Sequence, residues 1–224
     1  MSGIPEPTVM PVDRPEWFRQ LHLSNFVNAY YEYRDLESLP NARRVLIVGP
    51  GQGLDVQVLR WRGYDVTTLD IDDTFQPDQV GSVHDLSRFA DGHFDVVIAS
   101  HVLEHFALPY LDQALAEIAR VARYAIVYLP LHGRPAQVRI KLPFGGHDIP
   151  ITFSLFNPFK KADGMTPRFM GGQHFWEIGL RGFRVRDVER RVSAHFKVLS
   201  KYRNQDWMGS YNFVLESKRG SAGA

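Results

Sequence analysis

The 224-residue chain has no cysteine. That excludes disulfides, thiolate metal sites and a cysteine nucleophile. It also lacks any apolar run of the ~18 residues that a membrane span needs. Its proline-rich, polar start does not have the shape of a targeting leader, so a cytoplasmic protein is expected. Charge of either sign is nearly balanced: 26 Lys and Arg against 25 Asp and Glu leave a net +1. A nucleic acid partner is therefore not favoured, and no membrane partner is expected. There is no internal repeat, no Gly-Lys-Ser/Thr of a phosphate-binding P-loop and no Tyr-x-x-x-Lys pair.

What is present centres on Val45-Leu46-Ile47-Val48-Gly49-Pro50-Gly51-Gln52-Gly53-Leu54-Asp55. Four consecutive apolar residues read as a strand buried on both faces. The strand runs into Gly-x-Gly-x-Gly, where glycines permit a tight turn and leave no Cβ between backbone and ligand. A helix follows, with apolar residues at 54, 58, 59 and 61. Strand, glycine loop and helix open a nucleotide-binding α/β unit. Leu54 stands where a dinucleotide fingerprint has its third glycine. Val66–Asp70 is the next strand, and Asp70 comes 17 positions after Gly53. An acid at that strand tip faces the ribose of a bound nucleotide. Ile71 is placed against the adenine, and Asp72 and Asp73 read as helix-start residues.

The remaining pattern is Gly81–Leu86 as a strand end and turn, Phe94–Ser100 as a strand, a helix over 109–123 and Tyr124–Leu129 as a strand. Residues 1–14 read as a flexible arm. Residues 15–38 read as a helical extension whose Phe26, Tyr30 and Tyr33 recur at helical spacing, a stripe that packs or touches a ligand. Residues 15–217 form one domain. Within it, 131–172 is an irregular, aromatic and cationic insertion expected to cover a substrate. His174–Ile178 opens a helix, 185–192 forms another with arginines on a solvated face, and Phe196–Leu199 and Tyr211–Leu215 pair antiparallel. Residues 218–224 read as a disordered tail. The fold class is α/β: a Rossmann-like, mostly parallel seven-stranded sheet with helices on both faces and an antiparallel last strand.

Together Val45–Asp55, Val66–Asp70, Gly81–Leu86 and Phe94–Phe106 resemble the class I S-adenosylmethionine-dependent methyltransferases, in the branch called type 11. The resemblance covers about residues 44–130, with four motifs in order. It implies S-adenosyl-L-methionine as cofactor. Gly49, Pro50, Gly51 and Gly53 would let the backbone approach it, and Asp70 would hold its ribose hydroxyls. Ile71, Ser82 and Val83 would lie near the adenine, and Ser100, His101 and His105 beside the methionine moiety. Relatives carry an acid where this chain has Ser82, which accepts only as a neutral group. Asp85 reads as a turn cap.

The cofactor would supply a strong electrophile, so the protein must mainly align an acceptor. His101, directly after the fourth strand, is the first candidate for a general base. His174 is a second, with Glu177 beside it; His132 and His147 lie on the irregular stretch. The acceptor is expected to be a small molecule methylated on O or N, with an anionic group suited to the cationic insertion. The alternative is a methyltransferase-like module without catalysis. His101-Val102-Leu103-Glu104-His105 also spells H-x-x-E-H, the inverted zinc-peptidase motif. It starts at a strand end instead of lying inside a long helix, and no metal site is assigned.

Overall fold

The computed structural model describes residues 3–8, 21–141, 148–155 and 160–219. In chain order the elements are α1 (Leu23–Glu37), β1 (Arg44–Val48), α2 (Leu54–Trp61), β2 (Asp65–Asp70) and β3 (Gln79–Val80). They continue with β4 (Phe94–Ser100), α3 (Leu108–Val121), β5 (Ala122–Pro130), β6 (Arg134–Lys141) and β7 (Asp148–Leu155), then α4 (Val185–His195), β8 (Phe196–Arg203) and β9 (Ser210–Ser217). The main sheet has seven strands in the order β3-β2-β1-β4-β5-β9-β8. β3, β2, β1, β4 and β5 pair in parallel, and β9 runs antiparallel between β5 and β8. This is the expected fold class.

The apolar strand runs are two-faced because both sides of a parallel sheet are covered. Leu46, Val97, Ala125 and Phe213 face α3 and α4, meeting Leu115, Ile118, Val188 and Val192. Val45, Ile47, Ile98 and Tyr128 face α1 and α2, meeting Leu36, Val56 and Leu59. Register then fixes the functional edge. Val48 lies across from both Leu69 and Ala99, so Gly49, Asp70 and Ser100 reach the same strand-end edge together. No helix among the described residues is long and apolar enough to cross a membrane.

Several expectations change. α1 does not bury its Phe26–Tyr30–Tyr33 stripe: Phe26 and Tyr30 are exposed, while Tyr31, Glu32, Asp35 and Leu36 are buried. The buried Asp35 makes this face possible, since it accepts hydrogen bonds from the hydroxyls of Tyr128 and Tyr202. In α2, Trp61 is 80% exposed and the buried face is Val56 and Leu59. The 131–172 stretch is not irregular throughout. β6 and β7 form a two-stranded antiparallel hairpin. Its Val138, Ile140, Ile149, Ile151 and Phe153 share an exposed face, while Gln137 and Arg139 bond the Gln205 carbonyl. His174–Ile178 is an extended, buried segment and not a helix. The amides of Phe175 and Ile178 donate to the carbonyls of Glu104 and Pro130, which helical hydrogen bonding would forbid. His147, the 9–20 part of the N-terminal region and the 220–224 part of the tail lie outside the described residues.

Candidate active site

A cavity of about 330 Å³ opens at the strand-end edge. The glycine loop forms one wall. Gly49, Gly51 and Gly53 all take positive φ. At Gly49 this is obligatory, because φ is +66° and a Cβ would sit 2.6 Å from Val102 Cγ2. Gly53, also left-handed, starts α2. Pro50 lines the same wall.

Asp70 lines the cavity from the tip of β2. Its Oδ1 accepts from the amide of Asp72 at 2.9 Å, and Gly81 N donates to its carbonyl. Ile71, Phe75, Gly81 and Val83 complete this side. Ser82 does not line the cavity; its hydroxyl is held by His84 Nδ1 at 2.7 Å. The hydroxyl expected to meet the adenine is thus engaged by a neighbour in its own turn. Asp72 caps the turn at 73–75, and Asp85 accepts from Ser87 N, as a turn cap does.

Across the glycine loop, α1 contributes Asn25, Asn28, Ala29 and Glu32 to the lining, and α2 contributes Asp55. Glu32 is 2% exposed. Burial pushes its carboxyl well above the ordinary value, with the charge of Asp55 adding to the effect. Burial likewise pushes Asp55 up to about 6. Asn28 Oδ1 and Glu32 Oε2 are buried without a hydrogen-bond partner. Two apposed buried carboxyls and unpaired acceptors suit a ligand bearing a positive charge and N–H or O–H donors. Sequence reasoning missed these residues. The available signal was an acid at Glu32 within an otherwise aromatic helix.

The other end of the cavity is formed by Ser100, His101, His105, Phe106 and Trp207, with Pro7 and Thr8. His101 has φ +55°, a left-handed conformation unusual for a residue with a side chain. It is held there by its amide on the Tyr128 carbonyl, by Nε2 against Ser210 Oγ at 3.2 Å and by the Trp207 ring at 4.5 Å. Burial, then His174 and His105, lower its pKa to about 3. His105 is lowered to about 4 by burial and His174. Both imidazoles are neutral at physiological pH. His101 is thus a weak base, although it stands where a base was expected.

The arm is tied down at this point: Thr8 N donates to the His105 carbonyl, and Thr8 Oγ1 meets His105 Nδ1 at 3.1 Å. Trp207 is positioned by Asn204 Oδ1, which accepts the Asp206 and Trp207 amides. His174 does not line the cavity. It lies behind His105, ring against ring at 4.8 Å, with Nδ1 on Glu177 Oε1 at 2.9 Å. Glu177 also meets His132 Nδ1 at 2.7 Å. Among the described residues, none of the 131–172 insertion lines the cavity. Arg168 pairs with Asp163, and Lys160 lies over the Phe169 ring.

Residues 46–125 match a family model described as a methyltransferase domain. No curated protein matches the sequence. Among solved structures, the PH0226 protein of Pyrococcus horikoshii OT3 is similar with a TM-score of 0.57 at 17% identity, covering 92% of this chain and 97% of that one. The N-methyltransferase NodS of Bradyrhizobium japonicum WM9, solved with S-adenosyl-L-homocysteine, gives 0.56 at 9% identity over 93% and 94%. The 1,6-didemethyltoxoflavin-N1-methyltransferase of Burkholderia thailandensis, solved with bound 1,6-didemethyltoxoflavin and S-adenosylhomocysteine, gives 0.52 at 15% identity over 94% and 93%.

Proposed function

We propose, from the match of residues 46–125 to a methyltransferase domain and the fold shared with methyltransferases, that the protein is an S-adenosylmethionine-dependent enzyme that methylates an oxygen or nitrogen of a small molecule in the cytoplasm. The observation that carries this reading is the single cavity joining the glycine loop and Asp70 to the His101–Trp207 wall. S-adenosylmethionine supplies a methyl group on a positively charged sulfur, with a neutral leaving group.

In this reading Asp70 accepts from the ribose hydroxyls. Charge-assisted bonds of this kind are about twice as strong as neutral ones. The backbone of Gly49–Gly53 permits close approach, and Val83, Ile71 and Phe75 flank the adenine. Glu32 and Asp55 face the cationic amino-acid end. A cation at that point stabilises their ionised forms, which burial alone disfavours.

The acceptor sits against His101, His105, Phe106 and Trp207, with Thr8 across the mouth. Trp207 offers a flat apolar face for a planar acceptor. The protein's main contribution is alignment and exclusion of water, which can supply roughly 7–11 kcal/mol. His101, low in basicity, serves better as a fixed wall than as a strong base. The likeness to the 1,6-didemethyltoxoflavin-N1-methyltransferase, solved with that small molecule bound, supports an acceptor of that size. Calorimetry with S-adenosylmethionine and S-adenosylhomocysteine tests the reading. One-to-one binding of both is expected; binding of neither removes it.

A further inference from the structure

At and behind the cavity wall lies a cluster of which only His105 faces the acceptor space. Glu104 is fully buried, and neither of its carboxylate oxygens has a hydrogen-bond partner. His105 and His174 approach it closely enough that one ligand atom from each of the three lies within 4.8 Å of the others. His174 Nε2 is 3.9 Å from Glu104 Oε1, and His101 Nδ1 is 3.7 Å from the same oxygen.

The surrounding hydrogen bonds fix which nitrogen of each ring is bare. Thr8 Oγ1 donates its proton to the Gln173 carbonyl, so it can only accept from His105 Nδ1–H, leaving Nε2 bare. Glu177 accepts from His174 Nδ1–H and so leaves the Nε2 that faces Glu104 bare. Ser210 Oγ donates to Asn212 Oδ1 and therefore accepts from His101 Nε2–H, leaving Nδ1 bare toward Glu104. Glu104 is consequently met by the lone pairs of His101 and His174 and by no side-chain donor. A proton on Glu104 does not resolve this, because 3.7–3.9 Å exceeds the ~3 Å limit of an O–H hydrogen bond. A cation bonded at about 2.0–2.1 Å to each ligand needs ligand atoms roughly 3.3 Å apart; His174 Nε2 and Glu104 Oε1 stand at 3.9 Å and the three ligand atoms lie within 4.8 Å of one another, so the side chains must draw in when the ion binds.

We propose that Glu104, His105 and His174 hold a divalent d-block cation of the zinc type. Two imidazoles and a carboxylate are a donor set that zinc accepts, with the fourth position left for water or another ligand. The Glu177 carboxylate on His174 is the usual outer partner of a metal-bound imidazole. The ligands are not the H-x-x-E-H pair spaced along a helix. Residues 103–105 form a single 3-10 turn, and the third ligand comes from the distant 174–178 segment. His105 also lines the cavity, so one ligand of the ion borders the space assigned to the acceptor. That last point alone rests on the methyl-transfer reading.

The test is metal binding by the full chain, stripped with chelator and titrated with Zn²⁺ or Co²⁺. One ion per chain is expected, with a four- or five-coordinate Co²⁺ visible spectrum. Glu104→Gln and His174→Ala should each weaken binding at least 100-fold, and Glu177→Gln about 10–100-fold. Asp70→Ala should leave it unchanged, which separates this site from the cofactor reading. Absence of stoichiometric binding, a Co²⁺ spectrum of the hydrated octahedral ion, or unaltered affinity in Glu104→Gln and His174→Ala overturns the proposal. If those variants do not fold, the wild-type Co²⁺ spectrum and the Glu177→Gln titration decide it.

Discussion

The two ends of the cavity are built by different means. The glycine-loop end comes from strand tips and the turns that directly follow them: Val48 into Gly49, and Leu69 into Asp70. The histidine end is assembled from segments far apart in the chain: Thr8, His101, His105 and Trp207. The first end is set by sheet register. The second depends on tertiary packing, such as Thr8 on His105 and Asn204 on the Trp207 amide. Local construction suits an invariant ligand portion, and assembled construction suits a portion that differs between enzymes of one fold.

Changes at the two ends should therefore separate. The largest effect is expected for Gly49→Ala. It forces a Cβ to 2.6 Å from Val102 at a backbone angle that costs a side chain about 1–2 kcal/mol. Cofactor binding should be lost, and the thermal midpoint should fall by several degrees in a melting scan.

Next comes pH at the Glu32–Asp55 pair. Asp55 ionises near 3.8 when unfolded and at about 6 when folded. The unfolded chain therefore releases its proton first. The pair costs nothing below about pH 4, and apo stability falls as pH rises through about 6. The cofactor's positive charge should offset that cost, so its affinity should rise over the same interval in calorimetry. Glu32→Gln should flatten the rise and weaken binding about tenfold. An affinity that does not change with pH would contradict this placement.

A smaller effect is expected for Trp207→Ala. The acceptor KM should rise about tenfold while the cofactor Kd stays within about threefold; equal losses in both would erase the distinction between the ends. Ser82→Ala should change cofactor affinity less than about twofold, since that hydroxyl is turned to His84.

The same contrast decides what the sequence could show. The glycine loop, Asp70 and the parallel core strands were legible because each is written in a short run with its own periodicity. Glu32 and Trp207 were not, because only folding carries them to the edge; Asp55 stood inside the glycine-loop stretch without a role read for it. His174 and Glu177 drew attention as residue types. Their segment resembles a helix start, yet it is drawn out by amide bonds to Glu104 and Pro130. The β6–β7 hairpin was legible in principle. Ala136, Val138 and Ile140 alternate with polar residues, and Ile149, Ile151 and Phe153 alternate with Pro150 and Thr152, but the prolines made the stretch look irregular.

The account rests most heavily on Asp70 at the tip of β2. Calorimetry of wild type and Asp70→Ala with S-adenosylmethionine tests it most directly. One site in the wild type and at least tenfold weaker binding in the folded variant are expected. Equal affinity in the two proteins would contradict the account.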